Sequence, residues 1–252
     1  MATGSPPGYV RFAVPGATVI ALEPATEVIR SIIAESGSIH AHAAAAPGSK
    51  PLRGRGVSWA FNAGPERCVV RHYRRGGAMA RMLDDRYLRI GSTRPANELN
   101  ASIALRSRGV NSPEVIAYAV YPAGAYYRAD IVTRWIPASE DLATVTFGAD
   151  ASTDVDRAAA WAATGRLLRS AFENGAHHPD LNLRNVLVTG ARADSTAWLI
   201  DLDRCRVGSP ASDAARRRML ERFHRSRRKL ERRFRRPVGA ASLAAFEEAL
   251  GG

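Results

Sequence analysis

A polar segment from His178 to Asn185, with the sequence HPDLNLRN, carries side chains suited to phosphoryl transfer. Asp180 offers a carboxylate that can take the proton of an attacking hydroxyl, and Asn185 offers an amide oxygen for a metal ion. A second carboxylate follows at Asp201. Transfer from a nucleotide needs all three groups, because Mg²⁺ bridges the phosphates while a base receives the proton. We predict Asp180 as the catalytic base and Asn185 and Asp201 as magnesium ligands.

Two short apolar segments must position these groups. Val186–Val188 follows Asn185 directly, and Trp198–Ile200 runs into Asp201. Such segments are typical of short buried strands. If they pair antiparallel, Asp201 lies at the same cleft that Asn185 faces. His178 is expected to orient the loop through hydrogen bonds.

The remaining pattern predicts an α+β protein with a strand-rich first half and a helix-rich second half. The predicted elements before Pro137 are a glycine-rich hairpin, a helix and two strands: 57–61 with 68–73, 94–108, 115–121 and 126–135. After it, 154–172 and 242–250 read as helices. We expect a loosely built leader over residues 1–50, an N-terminal lobe over 51–136 and a helical C-terminal lobe over 137–252.

Composition excludes several classes of protein. The 252 residues are 46% apolar and 24% charged, as in ordinary globular chains, so a disordered chain is excluded. No segment approaches the roughly 18 uninterrupted apolar residues of a membrane-spanning helix. The two cysteines, Cys68 and Cys205, fit a reducing compartment and do not suggest a metal site.

The positive charge is concentrated in one segment. Arg216–Arg236 holds twelve Lys or Arg against two acids, which accounts for +10 of the net charge of +12. Apolar side chains recur through it at helical spacing, namely Met219, Leu220, Phe223, Leu230 and Phe234. The segment therefore predicts a basic amphipathic helix, whose apolar stripe packs on the core and whose arginines can meet phosphates.

Five strings occur in order between residues 53 and 206: Arg71–Gly77, Asp85–Tyr87, Tyr127–Thr133, His178–Val188 and Trp198–Cys205. They resemble one family of the protein-kinase-like fold, the bacterial kinases of 3-deoxy-D-manno-octulosonic acid (Kdo). The catalytic loop, His178–Asn185, and the motif Asp201–Asp203 are shared with aminoglycoside and other small-molecule kinases. Arg71–Gly77 (RHYRRGG) and Tyr127–Thr133 (YRADIVT) are similar to the Kdo kinases in particular. The resemblance implies a two-lobed kinase that uses ATP and Mg²⁺.

Further roles follow from that resemblance by position. It places Gly54 and Gly56 in the loop over the nucleotide phosphates, where glycine lets backbone N–H groups approach an anion. It places Glu98 at the kinase helix glutamate. Arg71 stands at the position of the usual strand lysine, since no Lys occurs between Pro51 and Arg228. His72 is the alternative phosphate contact.

The implied activity is transfer of the ATP γ-phosphoryl group to O-4 of Kdo on a lipid A precursor. The basic helix Arg216–Arg236 is expected to dock on the anionic, cytoplasmic face of the inner membrane. One alternative keeps the fold but takes another acceptor, as aminoglycoside-type kinases do. A second alternative is a basic, non-catalytic adaptor, but the aromatic residues typical of base stacking are missing from the helix, so nucleic acid is not expected as a partner.

Overall fold

The structure is a computed structural model that describes residues 5–52, 58–74, 85–148, 153–190 and 194–251. The chain divides into two compact units: Met1–Ala96 with Glu114–Trp135, and Asn97–Pro113 with Ile136–Gly252. The second unit resumes at Ile136, next to the boundary expected at Pro137, and it also takes in residues 97–113.

The first unit is built on an eight-stranded sheet in which every pairing is antiparallel. The strands are β1 (Tyr9–Val14), β2 (Ala17–Leu22), β3 (Lys50–Leu52), β4 (Ser58–Ala63), β5 (Glu66–His72), β6 (Tyr87–Leu88), β7 (Val115–Ala123) and β8 (Tyr126–Arg134). Their order is β1-β2-β7-β8-β5-β4-β3, and β6 pairs with β8. The predicted hairpin β4–β5 and the strands β7 and β8 are confirmed.

Two helices, α1 (Thr26–Ser36) and α2 (Ile39–Ala45), pack on this sheet. They bury isoleucines against it, including Ile29 and Ile33 of α1 and Ile39 of α2. The turn between them is set by Gly37, whose φ of 73° suits glycine, and by Ser38, whose side chain accepts from the Ala41 amide at 3.0 Å.

The expectation of a loosely built leader over residues 1–50 is wrong for its described part. β2 pairs with β7 in the middle of the chain, and the Tyr9 hydroxyl donates to the Val115 carbonyl at 2.6 Å. Small residues such as Ala17 and Ala21 are buried against the helices, so low hydrophobicity here does not mean exposure.

The second unit is mainly helical. Its helices are α3 (Arg94–Arg106, which begins in the first unit), α4 (Leu142–Phe147), α5 (Asp154–Glu173), α6 (Asp213–Phe234) and α7 (Ala240–Gly251). Its short strands are β9 (Glu140–Asp141), β10 (Ala176–His177), β11 (Val186–Thr189), β12 (Thr196–Leu199) and β13 (Arg206–Val207). The predicted helices 94–108, 154–172 and 242–250 correspond to α3, α5 and α7.

An aromatic cluster holds α5, α6 and α7 together. The Trp161 ring lies 5.9 Å from Phe223 and 5.7 Å from Phe246, and all three residues are fully buried. The two phenylalanine rings stack at 5.5 Å. Helix α7 approaches α5 so closely that a Cβ at Gly165 would lie 2.5 Å from the Phe246 carbonyl oxygen. This packing fixes α6 against the part of the unit that carries the catalytic loop.

The basic segment is helical as predicted, as helix α6. Met219, Phe223 and Leu230 are buried, whereas Phe234 is largely exposed and stacks on Phe147. The charged residues divide into two groups. Eight of the twelve basic residues are exposed: Arg217, Arg218, Arg225, Arg228, Lys229, Arg232, Arg233 and Arg235. The other four are half-buried and contact the protein itself: Arg216, Arg222, Arg227 and Arg236.

Candidate active site

The catalytic loop is held by side-chain amides. Asn182 and Asn185 both donate to the backbone carbonyl of Asp180, at 2.7 and 3.1 Å. The Asn182 side chain also accepts from the Arg184 amide at 3.0 Å, which starts the single 3₁₀ turn Leu183–Asn185. The asparagines in the segment thus give the loop one fixed shape around Asp180.

A hairpin brings Asn185 and Asp201 to the same end of the unit, as the sequence predicts. β11 and β12 pair antiparallel, with Val186 opposite Leu199, and the Ile200 amide donates to the Asn185 carbonyl at 3.0 Å. Asp201 is the next residue. Its φ of 62° is uncommon outside glycine but is best tolerated by Asp and Asn. Such backbone conformations are often found at functional sites.

The donor set at this end of the hairpin fits magnesium. Because Asn185 uses its amide N–H group on Asp180, its amide oxygen is the atom left to face a cation. Asp201 supplies a carboxylate. No group of three His, Cys, Asp or Glu side chains with metal-binding spacing occurs among the described residues. Mg²⁺ does not need one, since in nucleotide sites it takes one or two protein ligands and completes its shell with phosphates and water.

Two arginines contact the carboxylate of Asp180. Arg204 Nη1 lies 2.8 Å from Oδ2, and Arg222 Nη2 lies 2.8 Å from Oδ1. The sequence does not predict this arrangement, because Arg222 belongs to helix α6, for which the sequence predicts membrane docking. One signal was available: Arg222 immediately precedes the buried Phe223, so it lies at the edge of the apolar stripe and not on the outward face.

His178 orients the loop, as predicted. Its ring is buried; Nε2 lies 3.2 Å from the Ile200 carbonyl, and its backbone N–H donates to the Met219 sulfur at 3.2 Å. Burial lowers the pKa of His178, although the Ile200 carbonyl opposes this shift. The ring is therefore neutral with its proton on Nε2, since a carbonyl can only accept. His178 ties the residue before Asp201 to the catalytic loop.

We expect His178→Ala to lower kcat about 10- to 100-fold, the usual cost of losing a residue that orients a metal ligand. His178→Gln keeps a donor for the Ile200 carbonyl and should retain more activity. Because the folded pKa lies below the unfolded value, the unfolded chain binds the extra proton. The wild type should therefore lose more stability than the Gln variant as pH falls below about 6.5. Identical stability profiles for both proteins would contradict this role.

In the first unit, Arg71 and His72 lie on opposite faces of β5. His72 bonds to Asp130 at 2.6 Å through Nδ1 and to Asp85 at 3.2 Å through Nε2. Burial opposes protonation, but the two carboxylates outweigh it and raise the pKa of His72. Both ring nitrogens are thus occupied. Of the two predicted phosphate contacts, His72 is thus engaged by carboxylates, whereas the Arg71 guanidinium lies over the Tyr73 ring at 4.6 Å; the phosphate contact of Arg71 stays a prediction.

Of the other predicted nucleotide-binding residues, one lies within the described part of the chain and two do not. Glu98 is buried on α3, with 5% exposure, so it is not an ordinary solvated helix charge. Gly54 and Gly56 lie outside the described residues.

Comparison with known proteins agrees with the sequence motifs. The sequence model of the lipopolysaccharide kinase (Kdo/WaaP) family matches residues 45–247. A 3-deoxy-D-manno-octulosonic acid kinase of Stenotrophomonas maltophilia is 38% identical over 179 residues, which cover 70% of this chain and 68% of that protein. An enzyme of the same name from Photobacterium profundum is 33% identical over 176 residues, covering 69% of this chain and 70% of that protein.

A solved structure supports the fold. The structure titled "WaaP in complex with acyl carrier protein" matches with a TM-score of 0.58 and 16% identity, over 92% of this chain and 88% of that one. At this identity the likeness concerns the fold alone, and it confirms the predicted α+β, protein-kinase-like class. The family match over residues 45–247, together with the relatives that are 33% and 38% identical, shows that the chain belongs to the lipopolysaccharide kinase (Kdo/WaaP) family.

Proposed function

We propose that the protein transfers the γ-phosphoryl group of ATP to O-4 of Kdo on a lipid A precursor. The similarity to enzymes named 3-deoxy-D-manno-octulosonic acid kinase, at 33% and 38% identity, is the observation that carries this proposal. The arrangement of Asp180, Asn185 and Asp201 around one hairpin supports it, because these three groups are what phosphoryl transfer requires.

Each residue then has a defined task. The acceptor oxygen bonds to the γ-phosphorus as the bond to the bridging oxygen breaks, ADP leaves, and Asp180 takes the hydroxyl proton. Asn185 and Asp201 would hold Mg²⁺, which neutralises charge on the phosphates when bound. Arg71 would contact the phosphates with a guanidinium, and Gly54 and Gly56 would let the backbone approach them.

The charges around the base favour an anionic acceptor over an aminoglycoside. A site for a cationic drug would place acidic side chains near the acceptor. Two guanidinium groups, from Arg204 and Arg222, contact Asp180 instead. Kdo carries a carboxylate, and the lipid A precursor carries phosphates, so the negative charge of this acceptor complements the positive charge of the two arginines.

The proposal is tested by following label from [γ-³²P]ATP into acceptors that differ in one feature. We expect transfer to a Kdo-bearing lipid A precursor, and none to the same precursor without Kdo or to an aminoglycoside. Label in the Kdo-free precursor would contradict the assignment of Kdo as acceptor. Label in the aminoglycoside alone would favour the alternative kinase class.

We also propose that helix α6 docks the enzyme on the anionic, cytoplasmic face of the inner membrane, where such an acceptor lies. The described part of the chain contains no helix long and apolar enough to cross a membrane. Eight exposed basic residues of α6 and the residue after it supply the charge for peripheral binding. Arg218, Arg225 and Arg232 are spaced seven apart, so they share one face of the helix, away from the buried stripe.

Replacing Arg218, Arg225 and Arg232 together by Gln should weaken binding to vesicles that contain anionic phospholipid. Each basic residue near such a surface contributes about 1 kcal/mol, so the loss should be roughly 100-fold. The control replaces exposed Arg11, Lys50 and Arg89 by Gln, which removes the same charge from the first unit. Equal vesicle binding by both triple variants, measured by sedimentation at the same salt, would exclude α6 as the docking surface.

A further inference from the structure

The base Asp180 is held between two guanidinium groups, and this arrangement suggests how the acceptor is recognised. We propose that Arg204 and Arg222 bind the carboxylate of the acceptor sugar acid and so set specificity for an anionic sugar. The inference rests on the proposed function and adds the residues that recognise the acceptor.

The three side chains at the base carry an excess of positive charge. One carboxylate faces two cations, from Arg204 at 2.8 Å and Arg222 at 2.8 Å, so the group retains one positive charge. Both arginine side chains are partly exposed, at 57% and 41%, and the Asp180 side chain is 33% exposed. A solute can therefore reach the cluster, and an anion is the solute that the excess charge attracts.

The two arginines also supply hydrogen-bond donors. A guanidinium has five N–H groups in a planar fork that matches a carboxylate, and Asp180 engages one nitrogen of each arginine. The Nε of Arg222 is buried and has no hydrogen-bond partner among the described residues. Because this nitrogen is buried, a solute cannot reach it. The donors left for a second carboxylate are the terminal N–H groups of the two partly exposed guanidiniums that Asp180 does not engage.

The position of the two arginines also suits this role. Arg222 lies on α6 between Met219 and Phe223, both buried, so the helix packing fixes its backbone near the catalytic loop. In Kdo the carboxylate and the O-4 hydroxyl are substituents of the same six-membered ring. Groups that hold the carboxylate must therefore lie close to the base that takes the O-4 proton, and Arg204 and Arg222 contact that base directly.

The arginines do not have to release Asp180 for this to work. Each carboxylate oxygen offers two lone-pair positions, and each oxygen of Asp180 accepts from one arginine. The remaining positions can receive the acceptor hydroxyl. The same pair of arginines can thus orient the base and hold the acceptor carboxylate.

The test compares two water-soluble acceptors: a Kdo glycoside, and the same glycoside with its carboxylate converted to the neutral amide. We expect the wild type to prefer the carboxylate about 10- to 100-fold in kcat/KM, the usual effect of a hydrogen bond to a charged group. Arg222→Gln should lower kcat/KM for both acceptors, because it removes a partner of the base Asp180, but it should lower kcat/KM for the carboxylate acceptor by a further factor of about 10 to 100. The preference should therefore collapse.

Arg204→Gln is the second variant, since Arg204 is more exposed and its loss is less disruptive to folding. Arg222→Lys keeps the charge without the planar fork and should restore part of the preference. Arg11→Gln, on an exposed strand of the first unit, is the charge-matched control and should keep the full preference.

Two results would overturn the inference. The first is an equal kcat/KM of the wild type for both acceptors. The second is an equal loss of activity on both acceptors in the arginine variants, which is the result for arginines that only orient Asp180. Failure of the proposed function gives a different result, because the wild type would then phosphorylate neither Kdo acceptor; the inference would fall with it.

Discussion

Asp180→Asn should lower kcat for phosphoryl transfer about 1,000-fold, within the range for loss of a general base. Asparagine keeps the size of the side chain and one acceptor for the arginines, but it cannot take the hydroxyl proton. The loop should survive, because Asn182 and Asn185 bond to the backbone carbonyl of residue 180 and not to its side chain. ATP affinity should therefore be unchanged, which single-turnover kinetics and nucleotide titration would measure.

The control for this substitution is Asp194→Asn, since Asp194 is an exposed aspartate of the same unit. It removes the same charge and should leave kcat unaltered. Wild-type turnover by the Asp180 variant would exclude it as the base. A large loss in the Asp194 variant would show that charge removal alone explains the effect.

The largest loss of stability is expected from Asp130→Ala in the first unit. The Asp130 side chain is fully buried and accepts from His72 at 2.6 Å, the Tyr121 hydroxyl at 2.9 Å and the His40 amide at 3.0 Å. Removing this carboxylate leaves the three donors buried without an acceptor, which should lower the free energy of unfolding by about 3 kcal/mol. For a chain of this size the corresponding drop in Tm is roughly 6–12 °C, measurable by calorimetry.

This substitution should also change how stability depends on pH. The carboxylates of Asp130 and Asp85 raise the pKa of His72 against the effect of burial. The folded protein therefore holds this proton more tightly than the unfolded chain. The resulting stabilisation of the folded state is complete below about pH 6.5 and is lost as the pH rises through the folded pKa. Above pH 6.5 the free energy of unfolding should therefore depend less steeply on pH in Asp130→Ala than in the wild type.

Asp85→Ala is the comparison, because the Asp85 side chain is 22% exposed and water can replace it. Its cost should be about 1 kcal/mol. An Asp130 variant that melts no lower than the Asp85 variant would contradict the importance of the buried network.

The catalytic loop and its hairpin were predictable from the sequence because their geometry is local. Asn185 and Asp201 flank the two short strands β11 and β12, so antiparallel pairing of these strands alone brings them together. The basic helix was predictable for the same reason, since a repeat of apolar residues fixes which face is buried.

The missed features depend on contacts between distant parts of the chain. Neither the β2–β7 pairing nor the packing of α1 and α2 can be read from an Ala- and Gly-rich segment without the sheet that it completes. Likewise, Arg222 meets Asp180 across 42 residues of sequence, and only the packing of α6 puts them together. Spacing along the chain carries no information about such a pair.

The proposed acceptor and the site of transfer are tested most directly by the structure of the product. A Kdo-bearing lipid A precursor is incubated with enzyme, ATP and Mg²⁺, and the purified glycolipid is examined by ³¹P–¹H correlation NMR. We predict one new phosphorus resonance, coupled to the proton on C-4 of Kdo and absent with Asp180→Asn. A new resonance coupled to a proton outside Kdo, or no new resonance at all, would contradict the proposed function.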